Sequence, residues 1–243
     1  MNYGQDCDKF SSRMGCLLFC LAVVFLTYYC LRMLQKLDKE AECIKQQKKG
    51  VSPVLQLCVC ILNSEAVFVF GEIWMFGTDI FPVNSMIWYV MLFAILAGCL
   101  TAACIMDVES CMIYDYVWWL GMIAGVLLLC IGKCDRIMEL LLFILLQELF
   151  FCRFYGRADC HAFAVCAITE TATGIGMKGY LIHMLVAFSM LALIQGMCHN
   201  INNKGNLKQP IPFLPYITGS FWILMCLNSI LQKIFPAYLY KLC

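Results

Sequence analysis

The sequence predicts an all-α protein, a polytopic bundle of about eight transmembrane helices, from three observations. Of its 243 residues, 63% are hydrophobic and 14% charged, against roughly half and a quarter in soluble domains. The apolar residues gather in runs close to the ~20 that a helix needs to cross a bilayer. Short polar stretches rich in Lys, Asp, Asn, Gly or Pro separate those runs.

Residues 14–31 form the first run. Lys9 and Arg13 precede it in the manner of a signal peptide, but no A-x-A cleavage site follows, so a retained span is expected. The loop 32–50 carries Arg32, Lys36, Lys39, Lys45, Lys48 and Lys49 and should stay cytoplasmic as a solvated connector. The run 51–76 holds Glu65 and Glu72, and 77–85, with Asp79 and Pro82, reads as a turn. Residues 86–106 are a strongly apolar span ending at the polar stretch 107–115. Two further runs, 116–132 and 137–152, are joined by a tight polar turn at 133–136. The stretch 153–159 is polar, and 160–177 carries His161 and Glu170 before closing on Gly174-x-Gly176. Next comes 179–197, apolar except for His183, then the Asn- and Lys-rich segment 198–210. The last run, 213–231, is entered through Pro210, Pro212 and Pro215. Residues 1–85 are expected to form an N-terminal membrane segment with its basic loop, and 86–235 a second membrane domain.

Several function classes are disfavoured. The formal net charge is +1 and no basic stretch alternates with aromatics, so nucleic acid is not an expected partner. Most of the 18 cysteines sit in apolar runs, where a free cysteine behaves as a small hydrophobe. With no C-x-x-C anywhere, neither a metal site nor a redox cofactor is expected.

With 32–50 inside, counting crossings puts Asp107, Asp159 and 198–210 on the cytoplasmic side. Asp107 ends one run and Asp159 precedes another, with two crossings between them, so both lie at the same face. Two close carboxylates cannot both ionise cheaply, and such a pair shares a proton. One member can then act as general base on a water while the other polarises a peptide carbonyl. That is the chemistry of aspartic proteolysis. Acidic residues at span ends also serve solvation, transport or structure.

Three segments carry a resemblance. Thr101-Ala-Ala-Cys-Ile-Met-Asp107-Val-Glu-Ser-Cys-Met-Ile113-Tyr114-Asp115 is similar to the prepilin peptidase pattern of an apolar span, an Asp, five residues and Ile-Pro-Asn/Asp. Gly156-Arg-Ala-Asp159 resembles that family's G-x-G-D. Gln209-Pro-Ile-Pro-Phe213-Leu-Pro215-Tyr-Ile-Thr-Gly219 resembles its late I-P-F-x-P segment. The matches run in the family's order and cover about residues 86–235. Tyr114 stands where the family usually has Pro, Ala158 replaces the second Gly, and His161 stands where many members have Lys.

The resemblance implies a membrane aspartic endopeptidase of an inner (plasma) membrane. It would remove the basic leader from prepilin or pseudopilin substrates at the cytoplasmic face, with Asp107 and Asp159 catalytic. Gly156 would let backbone approach closely. The first loop has only Cys43, so the resemblance is to the short form without a zinc-bearing methyltransferase region.

Other residues are open to two readings. Asp115 hydrogen-bonds near the site or caps the following helix, and the cap is favoured. Glu109 and His161 tune the pair or face the headgroups, and the headgroups are favoured. His183, Glu65 and Glu170 are ionisable groups at membrane depth. Trp74, Trp118 and Trp119 fit interfacial anchors. The main alternatives are a transporter or ion relay built on Glu65, Asp107 and Glu170, and an inactive peptidase homologue. A presenilin-like protease, with its Tyr-Asp pair, does not match Met106-Asp107.

Overall fold

A computed structural model describes residues 3–37, 51–75, 83–111, 113–132, 135–201 and 211–234. Among these residues all regular structure is helical. The helices are α1 (Tyr3–Leu37), α2 (Pro53–Met75), α3 (Val83–Ser110), α4 (Asp115–Ile131), α5 (Ile137–Leu149), α6 (Arg157–Ala172), α7 (Met177–Ile201) and α8 (Leu214–Ile234). A 3-10 turn, Phe151–Arg153, follows α5. Helices are the natural outcome for long apolar runs, because they satisfy every backbone polar group within the segment.

Local chemistry sets several helix ends. Pro53 opens α2, where its missing N–H costs nothing, and Ser52 Oγ accepts the Leu55 N–H at 3.2 Å. Gly174, at φ +86°, closes α6 in the left-handed conformation. The Ile175 N–H then reaches back to the Glu170 carbonyl at 2.9 Å. Cys111, at φ +50°, closes α3.

Helices α3 and α6 form the centre. Helices α1, α2, α4 and α8 pack around α3, and α4, α5, α7 and α8 around α6. Small side chains line both central helices, including Ala97, Ala102 and Ala103 on α3 and Ala162, Ala167 and Ala172 on α6, all buried. Such residues let backbones approach closely where lipid supplies no hydrophobic drive between helices. Gly98 marks the tightest point against α1, where an added Cβ would lie 2.6 Å from the Thr27 Cβ and 3.0 Å from the Val24 carbonyl. Replacing Gly98 by Leu is expected to cost about 1–3 kcal/mol through overpacking. Gly15, with nothing within 4 Å, is the control, and its replacement should change stability by under about 0.5 kcal/mol. Thermal unfolding in detergent would measure both, and equal effects would count against this packing.

The outer helices turn large apolar side chains outward, as at Leu26 on α1, Leu141 and Leu145 on α5, and Leu185 and Leu193 on α7. Three segments are long and apolar enough to cross a membrane: Gly15–Gln35, Ile87–Ser110 and Met177–Met197. Pro53–Val69, Asp115–Ile131 and Leu214–Asn228 are shorter apolar segments. The protein is therefore an all-helical bundle of membrane character.

Some sequence boundaries shift. Residues 32–37 continue α1, so Arg32 sits on a helix and not in a solvated loop. Helix α3 runs through Ser110, which places Asp107 in its last turn and not in a polar connector. Helix α6 starts at Arg157 and stops at Ala172, before the expected end at 177. The rest of the basic loop, the turn around Asp79 and Pro82, and 202–210 lie outside the described residues.

Cross-helix bonds fix which ends coincide. The Tyr28 hydroxyl donates to Gln56 Oε1 at 2.7 Å, and Arg32 pairs with Glu109 at 2.8 Å. The Leu214 N–H donates to Asp107 Oδ2 at 3.0 Å, and Trp118 stands edge-on to His161. The end of α1, the end of α3 and the starts of α2, α4, α6 and α8 thus share one end of the bundle. At the opposite end, the Met177 N–H donates to Glu139 Oε2 at 2.6 Å.

Candidate active site

The three sequence segments that carry the resemblance meet at the first of these ends. Asp107 is 6% exposed, in the last turn of α3. Its carboxylate accepts the Leu214 N–H at the start of α8, and it also interacts with the Phe213 backbone N–H. Leu214 and Phe213 are themselves buried. The reason is local: the first turn of a helix has unpartnered N–H groups, and Pro212 and Pro215 supply no backbone donor there. A carboxylate from another helix fills the place of a cap and meets the positive end of the helix dipole.

Asp159 sits in the first turn of α6, half-buried. Gly156 is the N-cap of α6, and its carbonyl accepts the Asp159 N–H at 3.1 Å. The Gly156 N–H in turn favours the charged form of the Asp159 carboxyl, the smallest of the influences on it. The Asp159 carboxyl is nevertheless pushed up to about 7, first by burial and then by the charge of Asp107. The two carboxyl groups therefore sense each other across the gap between α3 and α6. Cys111, exposed just beyond α3, senses both, and its thiol is raised by burial, by Asp107 and by Asp159.

An aromatic wall flanks Asp159. Tyr155, Phe163, Phe188 and Phe213 meet with ring centroids 4.9–6.4 Å apart, joining the 3-10 turn to α6, α7 and α8. The Tyr155 hydroxyl donates to Gln147 Oε1, which fixes the approach to Gly156.

The remaining sequence candidates are placed differently from expectation. Asp115 makes no capping bond: the N-cap of α4 is Tyr114, and Asp115 is an exposed first-turn residue whose charge suits the helix dipole. Glu109 does not face headgroups, because it is buried and held by both guanidinium nitrogens of Arg32, at 2.8 and 2.9 Å. His161, partly exposed, lies 3.4 Å from Glu148. Gly156 is exposed at φ −58°, and an added Cβ would make only ordinary contact with Asp159. Its close-approach role is therefore not required by this geometry. Trp118 is buried and is no interfacial anchor, whereas Trp119 is exposed, and the side chain of Trp74 lies outside the described residues.

Of the three ionisable groups expected at membrane depth, Glu65 faces outward. Glu170 and His183 pair with each other, with Glu170 Oε1 2.7 Å from His183 Nδ1. Sequence reading named both but not their partnership. Among the described residues no three His, Cys, Asp or Glu side chains are grouped to hold a metal ion.

The site is thus a pair of carboxyl groups at one end of a helical bundle, one anchored on a helix N-terminus and the other raised toward neutrality. No protein-family model matches the chain, and neither a curated protein nor a solved structure matches it significantly.

Proposed function

We propose that the protein is a membrane-embedded aspartic endopeptidase that removes the leader peptide of prepilin-like substrates. The observation that carries this reading is that Asp107 at the end of α3 and Asp159 at the start of α6 share one end of the bundle with residues 211–215, whose Leu214 N–H holds Asp107. The three segments are separated by 52 and 54 positions in the sequence.

The chemistry assigns different duties to the two groups. Burial works against the charge on Asp107, and the Leu214 and Phe213 N–H donors offset part of that; because those donors need an acceptor, Asp107 takes the general-base role in this reading. Asp159, near half-protonated at neutrality, suits the general acid. Asp107 takes a proton from water as the water oxygen attacks the peptide carbon, and Asp159 gives its proton to the carbonyl oxygen. Collapse of the tetrahedral intermediate returns a proton to Asp159. The proton held by Asp107 goes to the leaving nitrogen.

In this reading the bundle crosses an inner membrane about eight times, with the site facing the cytoplasm. The substrate presents a short basic leader before a hydrophobic helix. The test is incubation of membranes containing the protein with such a peptide. Expected is a single cut between leader and helix that survives strong chelators, because two carboxyl groups suffice. No cut, or a cut lost in chelator and restored by zinc, would overturn the proposal. The ion-relay alternative predicts instead that Glu65→Gln impairs function, whereas cleavage should tolerate that change.

A further inference from the structure

We propose that His183 is a positioning residue that holds the helix bearing Asp159 against the helix that anchors Asp107. The inference rests on the reading of Asp107 and Asp159 as the working pair.

The geometry begins with the hydrogen-bonding capacity of the ring. His183 is 1% exposed, on α7. Its Nε2 lies 2.9 Å from the Ile217 carbonyl oxygen on α8. A carbonyl only accepts, so Nε2 carries a proton. Its Nδ1 lies 2.7 Å from Glu170 Oε1 on α6. This is a close ion-pair contact, and among the described residues neither oxygen of the buried Glu170 carboxyl has a hydrogen bond. The ring is therefore a strut between two helices that belong to different halves of the site.

Both ends of the strut connect to a working group. Glu170 follows Asp159 by eleven positions, about three turns, so the two carboxyl groups lie on nearly the same face of α6. Ile217 is one turn beyond Leu214, whose N–H holds Asp107. On α8, Thr218 also bonds Cys104 of α3 at 3.1 Å, which ties α8 to the helix of Asp107. Helix α8 thus follows α3, and His183 couples α6 to it. Phe163 and Phe221 cover the ring at 5.2 and 6.1 Å. Without the imidazole, Glu170 would be a buried carboxyl group with no partner, and α6 would have to move to relieve it.

Other titratable groups sit near the strut. Cys166 on α6 and Tyr180 on α7 face Glu170, and Cys104 on α3 faces Cys166. Around Asp159 the titratable neighbours are Asp107, Cys111, Cys160 and Tyr155. The readout is the titration of Asp159, because a change in its burial, in its distance from Asp107 or in its approach to the Gly156 N–H would move it.

The experiment compares the full chain with His183→Leu and His183→Gln in detergent micelles. It follows the carbon-13 carboxyl signal of Asp159 with pH, alongside the pH profile of leader cleavage and the thermal unfolding of each variant. His183→Leu removes the bond to Ile217 and the contact with Glu170, while His183→Gln keeps a donor for the Ile217 carbonyl and is the milder probe if His183→Leu does not insert. Expected is a fall of about one unit in the Asp159 midpoint as Asp107 moves away, with a matching shift of the cleavage profile. A folded His183→Gln with an unchanged Asp159 midpoint would overturn the proposal. Absence of cleavage by the parent chain would instead defeat the peptidase reading, and the Asp159 titration would still report on the strut.

Discussion

Changing either Asp107 or Asp159 to Asn is expected to reduce leader cleavage by about 10²–10⁴-fold, while the protein still inserts and folds. The two changes should not add, since each removes the same proton exchange. The fold survives Asp107→Asn for a specific reason: the amide oxygen of Asn still accepts the Leu214 N–H that the carboxylate accepts at 3.0 Å. Asp107→Ala is different. It leaves a buried N–H without its acceptor and should cost about 1–3 kcal/mol of stability besides activity. Asp115→Asn should process substrate normally, since that side chain is exposed and holds nothing. Gel-shift processing of a co-expressed substrate, with protein levels measured in the same membranes, separates these cases. Normal cleavage by Asp107→Asn or Asp159→Asn would end the assignment.

Cleavage should also decline as pH rises through about 7, roughly tenfold for each further unit, because the acid role requires protonated Asp159. The direction follows from the causes of its shift. Burial, and then the charge of Asp107, raise its folded value well above that of an ordinary aspartic acid. The protonated form is therefore the one the fold favours. Its contribution to stability is complete below the unfolded value and is lost as pH climbs through about 7. Stability should therefore fall as pH rises toward about 7 and level off above it, where the cleavage rate begins to decline. Replacing Asp107 by Asn should lower the Asp159 midpoint only in part, since burial is the larger cause and remains. Cleavage rates that stay level between pH 7 and 9 would contradict the assigned roles.

How much of this was legible beforehand differs by residue. The helices were legible because apolar runs near membrane length have few other folds open to them. Their faces were not, because a helix that is apolar all round carries no periodicity to show which side packs. Trp118 and Trp119 are adjacent and chemically identical, yet one is buried and the other exposed. The parity argument for Asp107 and Asp159 needed only a count of two crossings. The ion pair of Arg32 with Glu109 joins residues 77 positions apart, and nothing local to either announces the other. The Glu170–His183 pair and the capping of α8 by Asp107 were hidden for the same reason. Asp115 misled because a capping residue before a helix and an acid inside its first turn look alike in sequence.

The brevity of α5, and of α6 behind it, would have a mechanical consequence for lipid against α5. Helix α5 has 13 residues and α6 has 16, which at helical rise makes them about 20 and 24 Å long. A hydrocarbon layer of about 30 Å is taller than either. Helix α5 turns Met138, Leu141, Leu142 and Leu145 outward, so acyl chains meet this short wall directly. A bilayer relieves such a mismatch by thinning or by drawing headgroups inward. Under the proposed reading the flank beside α5 would be a dimple, where water and a polar leader segment would reach Asp107 and Asp159 without crossing the full headgroup layer. Thicker membranes would resist that deformation, and the catalytic end of the bundle would sense the chain length of its lipids.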